Sequence, residues 1–308
     1  MRRFIIDTDA GVDDAQAILM AFGHPDTKIE AFTTVNGNVG VDKTTANVLK
    51  VLDIAGQDVP VYPGCTQPLV NEIHHATYVH GKDGLGDCGI PTSKRKTEKK
   101  HAVHALIDFG NRYPGELSLI AIGPLTNLAV ALQIDPGLPN KYKDLTIMGG
   151  AILSKGNTNV TAEFNIYTDP EAAHIVFNHW PITKVLSWET TLAHVFSKED
   201  LESFYALNTK KSKFFHDTNQ IIIDFVKERM HTELLFAPDA LAVAVAIEPS
   251  IITKQEEHHL TVELCGKFTR GQTSVDWWDS MGNTANADLI IEVDQNRFVQ
   301  MMKNGLSQ

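Results

Sequence analysis

The chain has 308 residues, of which 43% are hydrophobic and 21% are charged, and its formal net charge is −11. This is an ordinary globular composition with enough apolar material for one large core. The negative charge argues against bulk binding to nucleic acid or to an anionic membrane, whereas a small uncharged substrate remains compatible with it.

The three cysteines, Cys65, Cys88 and Cys265, lie far apart and form no C-x-x-C pair, which predicts neither a disulfide framework nor a zinc knuckle. No apolar run approaches the roughly 20 residues that a membrane span needs. The first strand begins directly after Met1-Arg2-Arg3, which leaves no room for a signal peptide. We therefore expect a soluble, cytoplasmic protein.

The chain begins with a strand, a tight acidic turn and a helix between Phe4 and Phe22. The apolar run Phe4–Ile6 favours a buried parallel strand, and the helix-forming run Ala15–Phe22 follows the turn. Four carboxylates lie around Gly11 in this turn, namely Asp7, Asp9, Asp13 and Asp14. Because ligands bind at the carboxyl ends of parallel strands, the turn is a candidate site.

Four like charges in one turn repel one another, so they must be solvated, partly protonated or neutralised by a cation. The turn offers only oxygen ligands, without cysteine or histidine, which favours a hard cation such as calcium or magnesium over zinc. A solvated acidic loop that caps the helix is the alternative.

The remaining elements alternate between strands and helices. Strands are predicted at Ile29–Val35, Val59–Tyr62, Leu117–Ile122, Leu145–Met148, Thr183–Leu186, Leu260–Leu264 and Asp288–Val293. Helices are predicted at Thr44–Ile54, Leu128–Leu132, Lys210–His231, Ala240–Ile247 and Gln295–Lys303, with Asp169-Pro170 opening another. This order predicts an α/β fold formed by a single domain over residues 1–308. Its sheet should be open, mostly parallel and Rossmann-like, flanked by helices, with antiparallel strands near the C-terminus.

Polar residues follow several of these strands. Asn38 lies in a turn, and Asn157, Glu163 and Asn165 form a cluster suited to several hydroxyl groups, although surface solvation explains the cluster equally well. Asp239 at the start of an apolar helix is either its N-cap or a distant metal ligand.

Two further segments are irregular. The glycine-rich stretch from His74 to Asp87 matches no zinc motif, and its length is typical of a functional lid, so Tyr78 and His80 are candidate substrate contacts. The lysine-rich stretch 93–100 is interpreted as a solvated loop that leads into a helix, with Thr97 as its N-cap.

Two enzyme classes carry Asp-x-Asp after their first strand. A haloacid-dehalogenase-like phosphatase would use Asp7 as nucleophile, but it also needs a phosphate-binding lysine, for which the sequence has no convincing candidate. The stretch DTDAGVDDA at 7–15 instead resembles the inosine-uridine preferring nucleoside hydrolases. Further motifs follow in that family's order: NGN at 36–38, HGKDGLG at 80–86, GPLTN at 123–127, MGG at 148–150, AEFN at 162–165, DPEA at 169–172, DALAVA at 239–244 and RGQT at 270–273.

The resemblance implies a hydrolase that uses one calcium ion to cleave purine or pyrimidine ribonucleosides into base and ribose, and that forms a homodimer or homotetramer. The implied calcium ligands are Asp9, Asp14, the Thr126 carbonyl and Asp239, and Asp13 is the implied general base. The implied substrate contacts are Asp13, Asn38, Met148 through its backbone, Asn157, Glu163, Phe164, Asn165 and Asp239. Asp7 would hold the site in shape.

The sequence departs from the family pattern where the base leaves. Many members carry histidine before the metal-binding aspartate of the late helix, where it protonates the base, and this chain has Pro238. His80 is the first candidate for that task because imidazole titrates near neutrality, and Trp188 is an aromatic alternative. Base preference therefore stays open. A catalytically impaired nucleoside-binding protein is the alternative function, against which the intact carboxylate set argues.

Overall fold

Strand β1 (Arg2–Thr8) lies inside an eight-stranded sheet in the computed structural model, which describes residues 1–307. The other strands of this sheet are β2 (Thr27–Thr34), β3 (Val61–Pro63), β4 (Leu117–Ala121), β5 (Asp144–Met148), β6 (Thr183–Leu186), β7 (Ile252–His258) and β10 (Ala287–Val293). Their order is β3-β2-β1-β4-β5-β6-β10-β7. A separate antiparallel pair is formed by β8 (Leu260–Val262) and β9 (Thr273–Val275).

All neighbours in the large sheet pair in parallel except β10 and β7, which pair antiparallel at the edge. The predicted α/β fold, with a mostly parallel sheet and antiparallel strands near the C-terminus, is therefore confirmed. Side chains of β1 alternate between the two faces: Phe4 and Ile6 belong to one apolar cluster, whereas Ile5 belongs to the other. A strand buried on both faces explains why its sequence is a continuous apolar run.

Helices cover both faces of the sheet. They are α1 (Val12–Phe22), α2 (Val41–Ala55), α3 (Thr77–His80), α4 (Ala102–Arg112), α5 (Thr126–Ile134), α6 (Phe164–Thr168), α7 (Pro170–His179), α8 (Trp188–Ala193), α9 (Lys198–Tyr205), α10 (Lys210–Met230), α11 (Pro238–Ile247) and α12 (Gln295–Ser307). Within residues 1–307, no helix combines the length and apolar character needed to cross a membrane.

Helix α11 is the most deeply buried helix near the acidic turn. All ten of its residues are buried, which is expected for a helix that is apolar on every side. Ala237 occupies the cap position and Pro238 the first helical position, so Asp239 is not the N-cap. The core therefore holds the Asp239 carboxylate in a fixed place.

The prediction that Thr97 caps the next helix is wrong. Helix α4 begins at Ala102, and the ring of His101 accepts a hydrogen bond from the Val103 N–H at 3.3 Å. The chain near Thr97 instead runs beside β3, because the Glu98 N–H donates to the Val61 carbonyl at 2.9 Å. This distant backbone partner keeps residues 97 and 98 out of the helix.

Candidate active site

The acidic turn between β1 and α1 lies against the turn that follows β2. Because β1 and β2 are parallel neighbours, their carboxyl ends meet at one edge of the sheet. The Asn38 N–H donates to Asp9 Oδ2 at 2.7 Å, and the Gly11 N–H donates to Asp14 Oδ2 at 2.7 Å. The hydroxyl of Thr8 donates to Asp14 Oδ1. These bonds fix two buried carboxylates before any ligand binds.

The backbone of two turns lies so close to the Asp9 carboxylate that only glycine fits there. A Cβ atom on Gly37 would lie 2.0 Å from Asp9 Oδ2, and one on Gly123 would lie 2.9 Å from Asp9 Oδ1. Both contacts are shorter than real Cβ contacts, so glycine is needed at these two turns. The turns after β2 and β4 therefore hold the Asp9 carboxylate from two sides.

Three carboxylates converge at this edge. Asp13, Asp14 and Asp239 offer oxygen atoms that all lie within 4.8 Å of one another. Asp9 is not in this group, but its Oδ1 is buried without a hydrogen-bond partner among residues 1–307. An unpaired buried carboxylate oxygen beside other carboxylates is costly unless a cation binds it. The oxygen-only donor set therefore fits a hard cation such as calcium.

The electrostatics of the group agree with this interpretation. Burial, and then repulsion from Asp14, raises the pKa of Asp9 well above its ordinary value; burial and repulsion from Asp13 do the same for the pKa of Asp239. Burial raises the pKa of both Asp13 and Asp14 to about 6, and repulsion from Asp13 adds to the shift at Asp14. A bound cation would relieve both causes by stabilising the charged forms.

Thr126 and Asp7 lie in the framework around these carboxylates. Thr126, at the start of α5, is buried, and its hydroxyl donates to Asp169 Oδ2 at 2.7 Å. Asp7 Oδ1 accepts hydrogen bonds from the Thr33 hydroxyl at 2.5 Å and from Asn127 Nδ2 at 2.8 Å. Burial raises the pKa of Asp7 to about 7. Asp7 therefore ties β1 to β2 and α5.

A cavity of about 420 Å³ opens beside the carboxylates, a volume within the range of small-molecule sites. Every residue predicted to be catalytic or to bind substrate lines it. From the strand ends and α11 these are Asp13, Asn38, Met148 and Asp239. From the surrounding loops and helices they are His80, Asn157, Glu163, Phe164, Asn165 and Trp188.

Glu163 and Asn165 belong to a buried network, which rules out surface solvation for these two residues. Glu163 caps α6 and accepts hydrogen bonds from the N–H groups of Gly150, Asn165 and Ile166 at 2.9–3.2 Å. Asn165 Nδ2 donates to the carbonyls of Ile122 and Met148, both at 3.2 Å. Burial raises the pKa of Glu163 to about 7. Asn157, by contrast, lies at the exposed rim of the cavity.

His80 is the last residue of the short helix α3. Its Nδ1 accepts a hydrogen bond from the Val12 N–H at 3.2 Å and lies 3.7 Å from Asp13 Oδ1. Burial lowers the pKa of His80 to about 4, so the ring does not titrate near neutrality as the sequence suggested. Since Nδ1 is an acceptor, the neutral ring carries its proton on Nε2 and can donate a hydrogen bond there.

The far end of the cavity is aromatic and apolar, and sequence reasoning missed most of it. Helix α10 contributes Ile222, Phe225, Val226, Arg229 and Met230. The first four have the spacing i, i+3, i+4 and i+7, which places them on one helix face. This spacing is visible in the sequence and could have identified the face of α10 that lines the cavity. Two ring pairs line this end: Tyr78 with Phe225, 5.8 Å between centroids, and Trp188 with Phe236, 5.7 Å apart.

Comparison with known proteins matches residues 4–300 to the family described as inosine-uridine preferring nucleoside hydrolase. An inosine-uridine preferring nucleoside hydrolase of Leishmania major is 36% identical over 307 residues, covering 96% of this chain and 95% of that protein. Uridine nucleosidase 1 of Arabidopsis thaliana is 40% identical over 253 residues, covering 82% of this chain and 75% of that protein.

Solved structures give the same result. A plant nucleoside hydrolase superposes with a TM-score of 0.93 at 33% identity, covering 99% of both chains. A purine-preferring ribonucleoside hydrolase from Gardnerella vaginalis superposes with a TM-score of 0.92 at 31% identity, covering 99% of this chain and 98% of the other. The similarity therefore extends over the sheet edge, the cavity and the helices around it.

Proposed function

The chain belongs to the inosine-uridine preferring nucleoside hydrolase family, and from that premise we propose that it cleaves purine or pyrimidine ribonucleosides with the aid of one calcium ion. Hydrolysis of the N-ribosidic bond of ribonucleosides follows from family membership. Our proposal goes beyond family membership in three respects: the identity of the ion, the range of bases and the roles of individual residues.

The proposed calcium ligands are Asp9, Asp14, Asp239 and the Thr126 carbonyl. The oxygen-only donor set and the unpaired, buried Asp9 Oδ1 support this assignment. Calcium bound there would acidify and orient a water molecule beside the sugar. The binding of the ion would also offset the repulsion among carboxylates that the fold forces together.

Asp13 is the proposed general base. Its side chain is 14% exposed and lines the cavity, so it can reach a water molecule below the ribose ring. Burial raises its pKa to about 6, which leaves Asp13 ionised at neutral pH yet a better proton acceptor than an ordinary aspartate. The water oxygen then attacks C1′ while Asp13 takes the proton.

The ribose hydroxyls are proposed to bind Asn38, Asn157, Glu163, Asn165 and the Met148 backbone, with Phe164 beside them. Breaking the N-ribosidic bond gives the sugar oxocarbenium character, and the surrounding carboxylates stabilise that positive charge. Contacts to the hydroxyls position the ring, so that binding energy away from the reacting bond contributes to the rate. The network around Glu163 holds these groups ready.

The convergence of Asp13, Asp14 and Asp239, of which Asp13 and Asp239 line the cavity, is the observation that carries the proposal. It disfavours an impaired nucleoside-binding protein, because binding alone does not require a base beside a cation site. A phosphatase that uses Asp7 is disfavoured as well. Asp7 is fully buried, bonded to Thr33 and Asn127, and outside the cavity lining.

The test is to incubate the purified protein with inosine and with uridine in calcium buffer and to measure reducing sugar, which free ribose supplies and the nucleoside does not. Asp13→Ala should abolish ribose release while the protein stays folded, and Asp26→Ala, which removes an exposed carboxylate just before β2, at the opposite edge of the sheet from the site, is the control. Phosphate release from sugar phosphates without ribose release would refute the proposal.

We also propose a cytoplasmic homodimer or homotetramer formed by one domain over residues 1–308. This part rests on the family resemblance, and light scattering of the purified protein would measure the mass of the assembly.

A further inference from the structure

We propose that Asn47 is a positioning residue that joins the acidic turn to the loop of residues 81–87 and thereby fixes His80 at the cavity wall. The inference rests on the proposed function, since it concerns the cavity in which the N-ribosidic bond would be cleaved. Asn47 lies on α2 and does not line that cavity, so it acts through the two segments that it joins.

The side chain of Asn47 bonds to both segments at once. It is only 1% exposed, and its Nδ2 atom donates to the Ala10 carbonyl at 3.1 Å and to the Asp83 carbonyl at 2.8 Å. Ala10 follows Asp9 in the acidic turn, and Asp83 lies in the middle of the loop. The two N–H groups of one amide therefore satisfy two backbone carbonyls that are far apart in the sequence.

The loop of residues 81–87 is bonded internally, so its parts are displaced together. Asp83 and Asp87 each accept two hydrogen bonds from backbone N–H groups of the loop, at 2.7–3.0 Å. The Gly86 N–H donates to the His80 carbonyl at 2.9 Å, which ties the end of α3 to the loop. A displacement of Asp83 is therefore passed on to His80.

His80 joins the loop to the acidic turn at a second point. The first N–H groups of a helix have no partner inside the helix, and the Val12 N–H, at the start of α1, donates to His80 Nδ1 at 3.2 Å. The first turn of this helix also carries Asp13 and Asp14. The His80 ring can keep this place only while the loop stays against the turn, which is the contact that Asn47 makes.

Gly84 shows how closely the loop approaches Asn47. Its φ is +81°, and a Cβ atom there would lie 2.7 Å from Asn47 Nδ2, so either the loop or the Asn47 amide would have to move. Gly89 has a similar φ of +67°, but a Cβ atom there meets nothing within 4 Å among residues 1–307. Alanine therefore strains the backbone at both positions, but it separates the loop from Asn47 only at Gly84.

The experiment measures kcat/KM for inosine and uridine, the hydrogen-exchange rate of the Val12 amide by NMR, and the melting temperature. Asn47→Leu removes both donors while the side chain keeps its size. Lys43→Met is its control, because the Lys43 ammonium group holds the same loop to α2 by donating to a loop carbonyl at 2.7 Å but does not bond to the acidic turn. Gly84→Ala, with Gly89→Ala as its control, perturbs the same junction from the side of the loop.

We expect Asn47→Leu and Gly84→Ala each to lower kcat/KM about tenfold, the effect of one hydrogen bond, and to speed exchange of the Val12 amide by a similar factor. Lys43→Met should stay within about threefold of wild type, since water replaces an exposed donor. Gly89→Ala should lower the melting temperature without these two effects. Unchanged kcat/KM and Val12 exchange in Asn47→Leu would overturn the proposal, and so would equal effects of the two glycine variants, which carry the test if Asn47→Leu fails to fold.

A double variant shows whether Asn47 acts through His80. Asn47→Leu combined with His80→Ala should be no slower than the slower single variant, because residues of one network do not act additively. A loss equal to the product of the two single losses would overturn the proposal. Ribose release from neither nucleoside by the wild-type protein would refute the proposed function instead, and Val12 exchange in Asn47→Leu would still decide whether Asn47 holds the loop.

Discussion

Replacing Gly37 by alanine should weaken both the fold and the cation site. The new Cβ would lie 2.0 Å from Asp9 Oδ2 and 2.7 Å from Asp9 Cγ, and Asp9 is fully buried, so the carboxylate cannot rotate away without a change elsewhere. Either the turn after β2 or Asp9 must move. Both movements break the 2.7 Å hydrogen bond from the Asn38 N–H to Asp9.

The cost can be worked from these contacts. A hydrogen bond to a charged group contributes about 1.5–3 kcal/mol, and overpacking a buried site by one methyl group costs about 1–3 kcal/mol. Alanine also reduces the conformational entropy of the unfolded chain, which raises the free energy of unfolding by about 0.4–1 kcal/mol. The net loss is about 2–5 kcal/mol, a large part of the roughly 5–15 kcal/mol that stabilises a typical domain.

Urea unfolding of the metal-free protein measures this loss, and titration with calcium measures the accompanying loss of affinity. Gly40→Ala is the matched control, because Gly40 belongs to the same segment but a Cβ there meets nothing within 4 Å. It should stay within about 0.5 kcal/mol of wild type, as the poorer N-cap offsets the stiffer unfolded chain. Equal stability of Gly37→Ala and Gly40→Ala would refute the close-approach argument.

Three further predictions concern the ion, the pH and His80. Chelation with EGTA should lower the melting temperature, since calcium at 100 times its Kd stabilises by about 2.7 kcal/mol; recovery with zinc but not with calcium would contradict the assignment. In metal-free protein, folding raises the pKa of Asp13 and Asp14 from 3.8 to about 6, so between pH 3.8 and about 6 the folded state keeps protons that the unfolded state has lost. The urea midpoint should therefore fall as the pH rises through this range, and a midpoint independent of pH would contradict the raised pKa values. His80→Ala should slow inosine and uridine at least about tenfold, because the departing base loses a hydrogen bond from the Nε2–H of the neutral ring, but should leave nitrophenyl riboside, whose leaving group needs no such bond, nearly unchanged; an equal loss on all three would reduce His80 to shaping the cavity.

The local parts of the fold could be predicted from the sequence. Neighbouring residues dictate the strand at Phe4–Ile6, the acidic turn and the helix after it. The structure extends this strand by two residues at each end, to Arg2–Thr8. Asp169-Pro170 likewise opens a helix, since the Ala172 N–H donates to Asp169 Oδ1 at 3.1 Å. Parallel strands then bring the polar turns to one edge, so a local pattern was sufficient to locate the site.

Features that depend on distant partners could not be predicted. Strand β7 was missed because its exposed polar sequence lacks a strand pattern, and pairing with β10 alone stabilises it. The prediction of an N-cap at Thr97 was wrong because the next residue, Glu98, donates its N–H to the Val61 carbonyl and so lies beside β3. The shifted pKa of His80 arises from burial against Val12 and Asp13, a contact that bridges 68 residues of chain.

The cavity is built by two kinds of element, and this has an evolutionary consequence. Most of the groups that would act on the sugar are buried at the turn after β2, at the start of α6 and at the start of α11, where a change disturbs the core; they include Asn38, Glu163, Asn165 and Asp239. Apart from Trp188 and Phe236, the groups near the base extend from α3 and from one face of α10, where Phe225 is partly exposed and Arg229 and Met230 are exposed. Exchanges on those two helices can therefore create a preference for a different base while the bond-breaking apparatus is inherited unchanged, so relatives can diverge in substrate without reinventing the reaction.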